Sequence, residues 1–308
     1  DLSTGINPRP YPVAEISALA WQRLPQADDS LLSLASAYYG TSHLLAASGS
    51  QAILQVLPRL RPTCRVAVPT PTYAEHPKAW QAAGHQVLPS EPQLAGEVVD
   101  QVDVLLLCHP NNPSGHCYSK QDLMLWHRKL AAKGGWLIVD EAFIDATPEA
   151  SLADQIGVDG LIVLRSLGKF FGLAGARVGF MLAWPEMLTA TQELLGPWQI
   201  SGPSREVASQ ALADKGWQLA NQIQLQQASQ QLTQLLSQSG LTPMGITALF
   251  QWLVTPQAKK IHEQLATQGI LTRLFDRPSS IRFGLPGTGS EWQRLASALQ
   301  KLDLSEYG

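Results

Sequence analysis

The stretch LIVLRSLGKFFGLAGARVGFMLA, residues 161–183, decides the fold. Two apolar runs, LIVLRSL (161–167) and VGFMLA (178–183), bracket a turn rich in glycine and alanine. Both runs are nearly continuous rather than alternating, the pattern of strands buried on both faces of a mostly parallel sheet. Between them one lysine, Lys169, and one arginine, Arg177, sit among small residues that let backbone and ligand come close.

Working outward, similar runs recur: CRVAVP (64–69), VDVLLLCHP (102–110) and GWLIVDEAF (135–143). Helical patterns separate them. SKQDLMLWHRKLAAKGG (119–135) opens with Ser119 as N-cap, carries Asp122 in its first turn and ends in glycines. This alternation predicts an α/β fold built on an open sheet. After PWQISGPS (197–204) the character changes. Residues 204–238 read as one or two long, glutamine-rich helices with Leu219, Ile223, Leu232, Leu235 and Leu236 on the apolar side. Strand-like LFQWLVT (249–255), ILTRLF (270–275) and SIRFGLP (280–286) follow, with helices over 259–268 and 291–302. The expected organisation is an N-terminal arm over 1–29 that packs with the small domain, a large α/β domain over 30–200, and a small α+β domain over 201–308. No internal repeat is present.

The 308 residues are 45% hydrophobic and 15% charged, enough for a large core. A formal net charge of −3 gives no attraction to nucleic acid or anionic lipid, and neither partner is expected. No run approaches the roughly 20 apolar residues of a membrane span, and no signal peptide is evident. Cys64, Cys108 and Cys117 are odd in number and lack metal-ligand spacing, so they read as reduced thiols in a cytoplasmic protein, and no metal site is expected.

Ligands of open α/β sheets bind beyond the carboxyl ends of the strands. Asp140 ends WLIVD, Asn112 follows VLLLCHP, and Ser166 and Lys169 follow LIVLR, so these residues should meet along one sheet edge. In that order, HPNNPSG (109–115), VDEAF (139–143), SLGK (166–169) and GARVGF (175–180) resemble the signatures of the fold-type I, pyridoxal-phosphate-dependent aminotransferases. The resemblance covers about residues 30 to 285. Within it the chain is similar to histidinol-phosphate aminotransferases and to the threonine-phosphate decarboxylases of cobalamin synthesis, and the opening DLSTGINPRPYP (1–12) looks most like the latter.

The resemblance implies pyridoxal 5'-phosphate as cofactor, in a large domain of the aspartate-aminotransferase type. Lys169 is then the amine that holds the aldehyde and later moves protons at Cα. Asp140 keeps the ring nitrogen protonated, because an opposite charge favours the charged form. Its neighbour Glu141 points to the other face by strand alternation. In ASGSQAILQVL (47–57), Ser48, Gly49 and Ser50 open a helix, and the N–H groups of Ser50 and Gln51 line a phosphate cradle completed by Ser166 and Arg177. Tyr73 stacks on the ring and Asn112 bonds its 3-oxygen. A homodimer with shared active sites is also implied, with Tyr38 (or Tyr39) reaching the partner's phosphate.

One position departs from the aminotransferase pattern. Three residues after the ring-nitrogen aspartate most of these enzymes carry tyrosine, and here stands Phe143, which cannot donate. Similar DEAF sequences occur in threonine-phosphate decarboxylases. Arg282 and Arg273 match the arginines that hold the substrate's anionic groups, and either fits either anion. The arm residues Thr4, Gly5, Ile6 and Asn7 close over the substrate. His109 reads as strand-end structure, and His76 has no assigned role. The expected activity is decarboxylation of O-phospho-L-threonine, a small phosphorylated amino acid, to (R)-1-amino-2-propanol phosphate. The alternatives are a histidinol-phosphate aminotransferase using 2-oxoglutarate and, more distantly, a non-catalytic cofactor-binding regulatory module.

Overall fold

The computed structural model describes residues 1–26 and 29–304. Residues 27–28 of the arm and 305–308 at the chain's end lie outside the described residues. The strands are β1 (Leu44–Ala47), β2 (Arg65–Pro69), β3 (Gln86–Ser90), β4 (Val104–Cys108), β5 (Trp136–Asp140), β6 (Leu161–Ser166), β7 (Gly179–Leu182), β8 (Gly245–Ile246), β9 (Phe250–Val254), β10 (Arg273–Asp276) and β11 (Ser279–Gly284). The helices are α1 (Ala18–Gln22), α2 (Leu31–Tyr39), α3 (Ser50–Val56), α4 (Glu75–Ala82), α5 (Lys120–Ala131), α6 (Pro185–Leu195), α7 (Gly202–Ala213), α8 (Lys215–Gln238), α9 (Ala258–Thr267) and α10 (Gly289–Leu299).

Seven strands form one sheet in the order β1-β7-β6-β5-β4-β2-β3. Strands β3, β2, β4, β5 and β6 run parallel, and β7 alone is antiparallel to its neighbours. The apolar runs are continuous because successive residues enter two different cores. Leu105, Leu107, Leu137, Val139, Leu161 and Val163 pack on one face. Val104, Leu106, Trp136, Ile138, Ile162 and Leu164 pack on the other. The sequence signal missed β1 and β3, both short edge strands, and β3 carries Pro89, which is tolerated only at an edge.

A second, antiparallel sheet has the order β10-β11-β9-β8. The 204–238 stretch divides into α7 and α8. The expectation that Leu219 and Ile223 face the core is corrected: they are 64% and 57% exposed. The buried face of α8 carries Gln218, Asn221, Leu225, Ser229, Leu232 and Leu236. Polar side chains face inward there because each satisfies backbone. Gln218 Nε2 donates to the Ala211 carbonyl at 2.9 Å, and Asn221 Nδ2 to the Phe170 carbonyl at 3.1 Å.

The arm crosses the ends of both sheets. The Leu2 N–H donates to Leu271 O at 2.7 Å, and the Gly284 N–H to Leu2 O at 2.8 Å. Further along, the Asn7 N–H donates to Lys169 O at 3.0 Å and the Tyr11 N–H to Phe171 O at 2.9 Å. Gly172 permits this crossing, since a Cβ there would stand 2.7 Å from Pro10 Cα.

Candidate active site

Strands β4, β5 and β6 end in one row. Cys108 pairs with Asp140, and Asp140 with Leu164, so the carboxyl ends of these strands open onto a single pocket. Its walls include Ser50, Gln51, Tyr73, Asn112, Asp140, Phe143, Ser166, Lys169 and Arg177. Residues up to 127 positions apart in sequence, from Ser50 to Arg177, thus converge where the strand pattern placed them.

Asp140 lies at the floor. Its Oδ1 accepts from the Ala142 N–H at 3.0 Å, and its Oδ2 faces His76 Nε2 at 2.9 Å. His76, fully buried on α4, is the residue that sequence reasoning left without a role. Burial alone would push its pKa down, but the Cys108 sulfur and the Asp140 carboxylate outweigh that and raise it to about 10. A protonated His76 donates to the Asp140 carboxylate and fixes its position at the pocket floor. Glu141 points to the opposite face, where Ser151 and Arg165 hold it at 2.5 and 2.9 Å.

Lys169 follows β6, and its Nζ lies 5.4 Å from the centre of the Phe143 ring. Burial lowers its pKa, and the charges of Arg282 and Arg177 add to that, with Asp140 opposing. Such a lysine gives up its proton more readily than a solvated one.

At the other end, Gly49 precedes α3 with φ +77°, and a Cβ there would lie 2.8 Å from Arg177 Nη2. Arg177 itself adopts φ +52°, a backbone state unusual outside glycine. Gly179 brings β7 against the start of α3, because a Cβ on it would stand 2.3 Å from the Ser50 nitrogen. Backbone N–H, two serine hydroxyls and a guanidinium therefore converge where small residues clear the space, the donor set a phosphate needs. With a buried amine and a carboxylate at the far end, the residues present fit pyridoxal phosphate. Tyr73 covers one side, its hydroxyl donating to Gln51 Oε1 at 3.1 Å. Ser48 precedes this cradle and does not line the pocket.

The substrate-side residues divide. Arg282, buried beside the arm, donates to Asn112 Oδ1 and, at 2.6 Å, to the Ser3 carbonyl. Burial and the neighbouring Arg273 lower its pKa to about 10. Arg273 pairs with it across β10 and β11 but is exposed. Gly5 sits over Phe143 and Phe250, each 2.9 Å from where its Cβ would be. Asn7 is committed to the arm's own docking, donating to Phe170 O and Asn221 Oδ1, both at 2.9 Å, and Ile6 is half-buried. Tyr38 stays outside the pocket in its own chain, donating to Asp145 at 3.1 Å. Tyr39 lies under the Arg165 guanidinium, 4.6 Å away. His109 takes the Tyr118 N–H on Nδ1 at 3.2 Å and faces Ala150 O with Nε2 at 3.3 Å, and burial pushes its pKa down to about 4. It is a neutral strand-end support.

Cys108 is the other pocket residue that the sequence signal missed. Its Sγ lies 4.0 Å from Asp140 Oδ2 and accepts from Thr72 Oγ1 at 3.4 Å. Only the parallel pairing of β4 with β5 brings it to Asp140. All three cysteines are free.

Comparison with known proteins fits this geometry. The family model of the aminotransferases of class I and II matches residues 21–299. The chain is 49% identical to a threonine-phosphate decarboxylase of Pseudomonas aeruginosa over 299 residues, 97% of this chain and 90% of that one. A threonine-phosphate decarboxylase of Sinorhizobium sp is 38% identical over 311 residues, 99% and 92% of the two chains. Among solved structures, a histidinol-phosphate aminotransferase from Clostridium acetobutylicum superposes with a TM-score of 0.85 at 21% identity, covering 97% of each chain, a likeness of fold.

Proposed function

The chain belongs to the aminotransferase class I and II family, and from that premise we infer that it is a pyridoxal-phosphate-dependent lyase that decarboxylates O-phospho-L-threonine to (R)-1-amino-2-propanol phosphate. Two threonine-phosphate decarboxylases matching nearly the whole chain support this substrate. The observation that carries it within the pocket is Phe143. Its ring meets Phe250 edge-on at 5.1 Å, Gly5 of the arm covers it, and Lys169 faces it. The residue that departs from the aminotransferase pattern and the arm that resembles the decarboxylases are one packed unit.

Bound pyridoxal phosphate supplies an aldehyde for the substrate's amine and a protonated ring that draws electrons from Cα. Asp140, backed by His76, would hold the ring nitrogen's proton. Ser50, Gln51, Ser166 and Arg177 would hold the phosphate, and Tyr73 and Asn112 the ring. Arg282 would orient an anionic group of the substrate, with Arg273 adding field from the rim. The bond that would break is Cα–carboxylate, chosen by how Arg282 and the arm hold the substrate. Carbon dioxide would leave, and Lys169 would return a proton to Cα in its place. The arm and the Phe143–Phe250 contact would shield that side of the pocket.

We further propose a cytoplasmic homodimer. Leu19, Trp21, Leu24 and Trp198 are 55–71% exposed, and α1 buries no residue within the chain. Among the described residues no helix is long and apolar enough to cross a membrane. A paired assay tests the activity: O-phospho-L-threonine alone against histidinol phosphate with 2-oxoglutarate. Sustained turnover of the first and not the second is expected. The reverse would leave the cofactor residues in place and overturn the substrate.

A further inference from the structure

His76, Cys108 and Asp140 offer nitrogen, sulfur and oxygen atoms that all lie within 4.8 Å of one another, and all three residues are buried. We propose that in the cofactor-free protein these three side chains bind one thiophilic divalent cation of the zinc class, and that this cation and the cofactor exclude each other. The exclusion rests on the reading that Asp140 faces the cofactor's ring nitrogen.

Zinc bonds of about 2.0–2.3 Å place tetrahedral donors about 3.3–3.7 Å apart. His76 Nε2 and Asp140 Oδ2 stand 2.9 Å apart, and Cys108 Sγ and Asp140 Oδ2 4.0 Å apart. For these two pairs, shifts of about half an ångström, one opening and one closing, reach that spacing, and the third pair, His76 with Cys108, lies within 4.8 Å. The mixed set suits a borderline-soft ion rather than magnesium or calcium, which take oxygen alone. On binding, the Cys108 thiol proton and the His76 proton leave to solvent, and the thiolate and carboxylate balance the 2+ charge. Cys108 and Asp140 both line the pocket, so a fourth position opens to it.

The surrounding atoms also set the strength. Thr72 Oγ1 donates to the sulfur at 3.4 Å, and the Ala142 N–H fixes Asp140 Oδ1 at 3.0 Å. His76 Nδ1 has no hydrogen-bond partner among the described residues, whereas zinc-bound histidines normally donate from the second nitrogen. The site is therefore weaker than a structural zinc centre, and a well-held cofactor displaces the ion.

Co2+ is the probe, on the full chain stripped of cofactor. One Co2+ per chain should bind with a thiolate-to-metal charge-transfer band, and Zn2+ should erase the band. Cys108→Ser should lose the band and weaken binding by about ten-fold or more, and Cys117→Ser should keep both. The cofactor-loaded protein should show no band, and saturating Zn2+ should slow cofactor uptake. No band in the parent chain, an equal band in Cys108→Ser, or an equal band in the loaded protein would each overturn the proposal. Visible absorbance of the cofactor on Lys169, read without metal, is a separate test of the cofactor reading. Its presence alongside a missing cobalt band would sink the metal site alone.

Discussion

Lys169 separates folding from turnover most cleanly. Lys169→Ala removes a buried cation whose own burial is unfavourable, so the chain should fold while turnover drops by about a thousand-fold or more. A circular-dichroism melt beside a rate assay checks both halves. Phe143→Tyr adds a hydroxyl at the para carbon, which lies 3.4 Å from where a Gly5 Cβ would be. It should loosen the arm and raise the fraction of transaminated side product, read from the product ratio. His76 gives a pH prediction. Its pKa is raised in the folded chain from the ordinary 6.5 to about 10, so its stabilisation is complete below 6.5 and fades as pH climbs towards 10. The urea midpoint of the cofactor-free protein should fall over that window, and fall less in His76→Asn. Lys169 and Asp140 were legible because their chemistry comes with strand-end motifs. His76 and Cys108 were not, because each becomes meaningful only through a neighbour that the fold supplies.

The elements most exposed to a single methyl group are those built around glycine. At Gly49, φ +77° with ψ 160° is a region essentially reserved for glycine, and Gly49→Ala should cost about 1–3 kcal/mol and crowd Arg177. Cofactor affinity should fall with it, measured by titration. Helix α8 offers a contrast within one element. Leu232→Ala should cost about 2–5 kcal/mol of stability, whereas Leu219→Ala in the same helix should stay within about 0.5 kcal/mol in the single chain, because Leu232 is fully buried and Leu219 64% exposed. The periodicity of leucines marks a helix and, at Leu232 and Leu236, its buried face, but misplaces Leu219 and Ile223. Inward polar residues such as Gln218 and Asn221, bonded to backbone carbonyls, shift the buried stripe by a residue or two, and hydropathy alone cannot register that. The central strands, buried on two faces, were legible for the opposite reason: nothing polar interrupts them until the strand end where the site begins.

Over the whole molecule, the arm, the large sheet and the small sheet meet at Arg282. A cation held by Asn112 and the Ser3 carbonyl, with Arg273 beside it and no carboxylate bonded to it among the described residues, is poised for an anion. With the cofactor bound and its phosphate cradle filled, inorganic phosphate should still raise the melting temperature, and Arg282→Gln should abolish much of that rise. The exposed apolar side chains of α1 and Trp198 predict concentration-dependent association, measurable by sedimentation. Central to the account is that the bond broken is Cα–carboxylate. The most direct test incubates the purified protein with pyridoxal phosphate and O-phospho-L-threonine, without any keto acid, and measures carbon dioxide and aminopropanol phosphate together. The account predicts equal amounts of the two over many turnovers. Amino-group transfer without released carbon dioxide, stopping after one turnover until a keto acid is added, would contradict it.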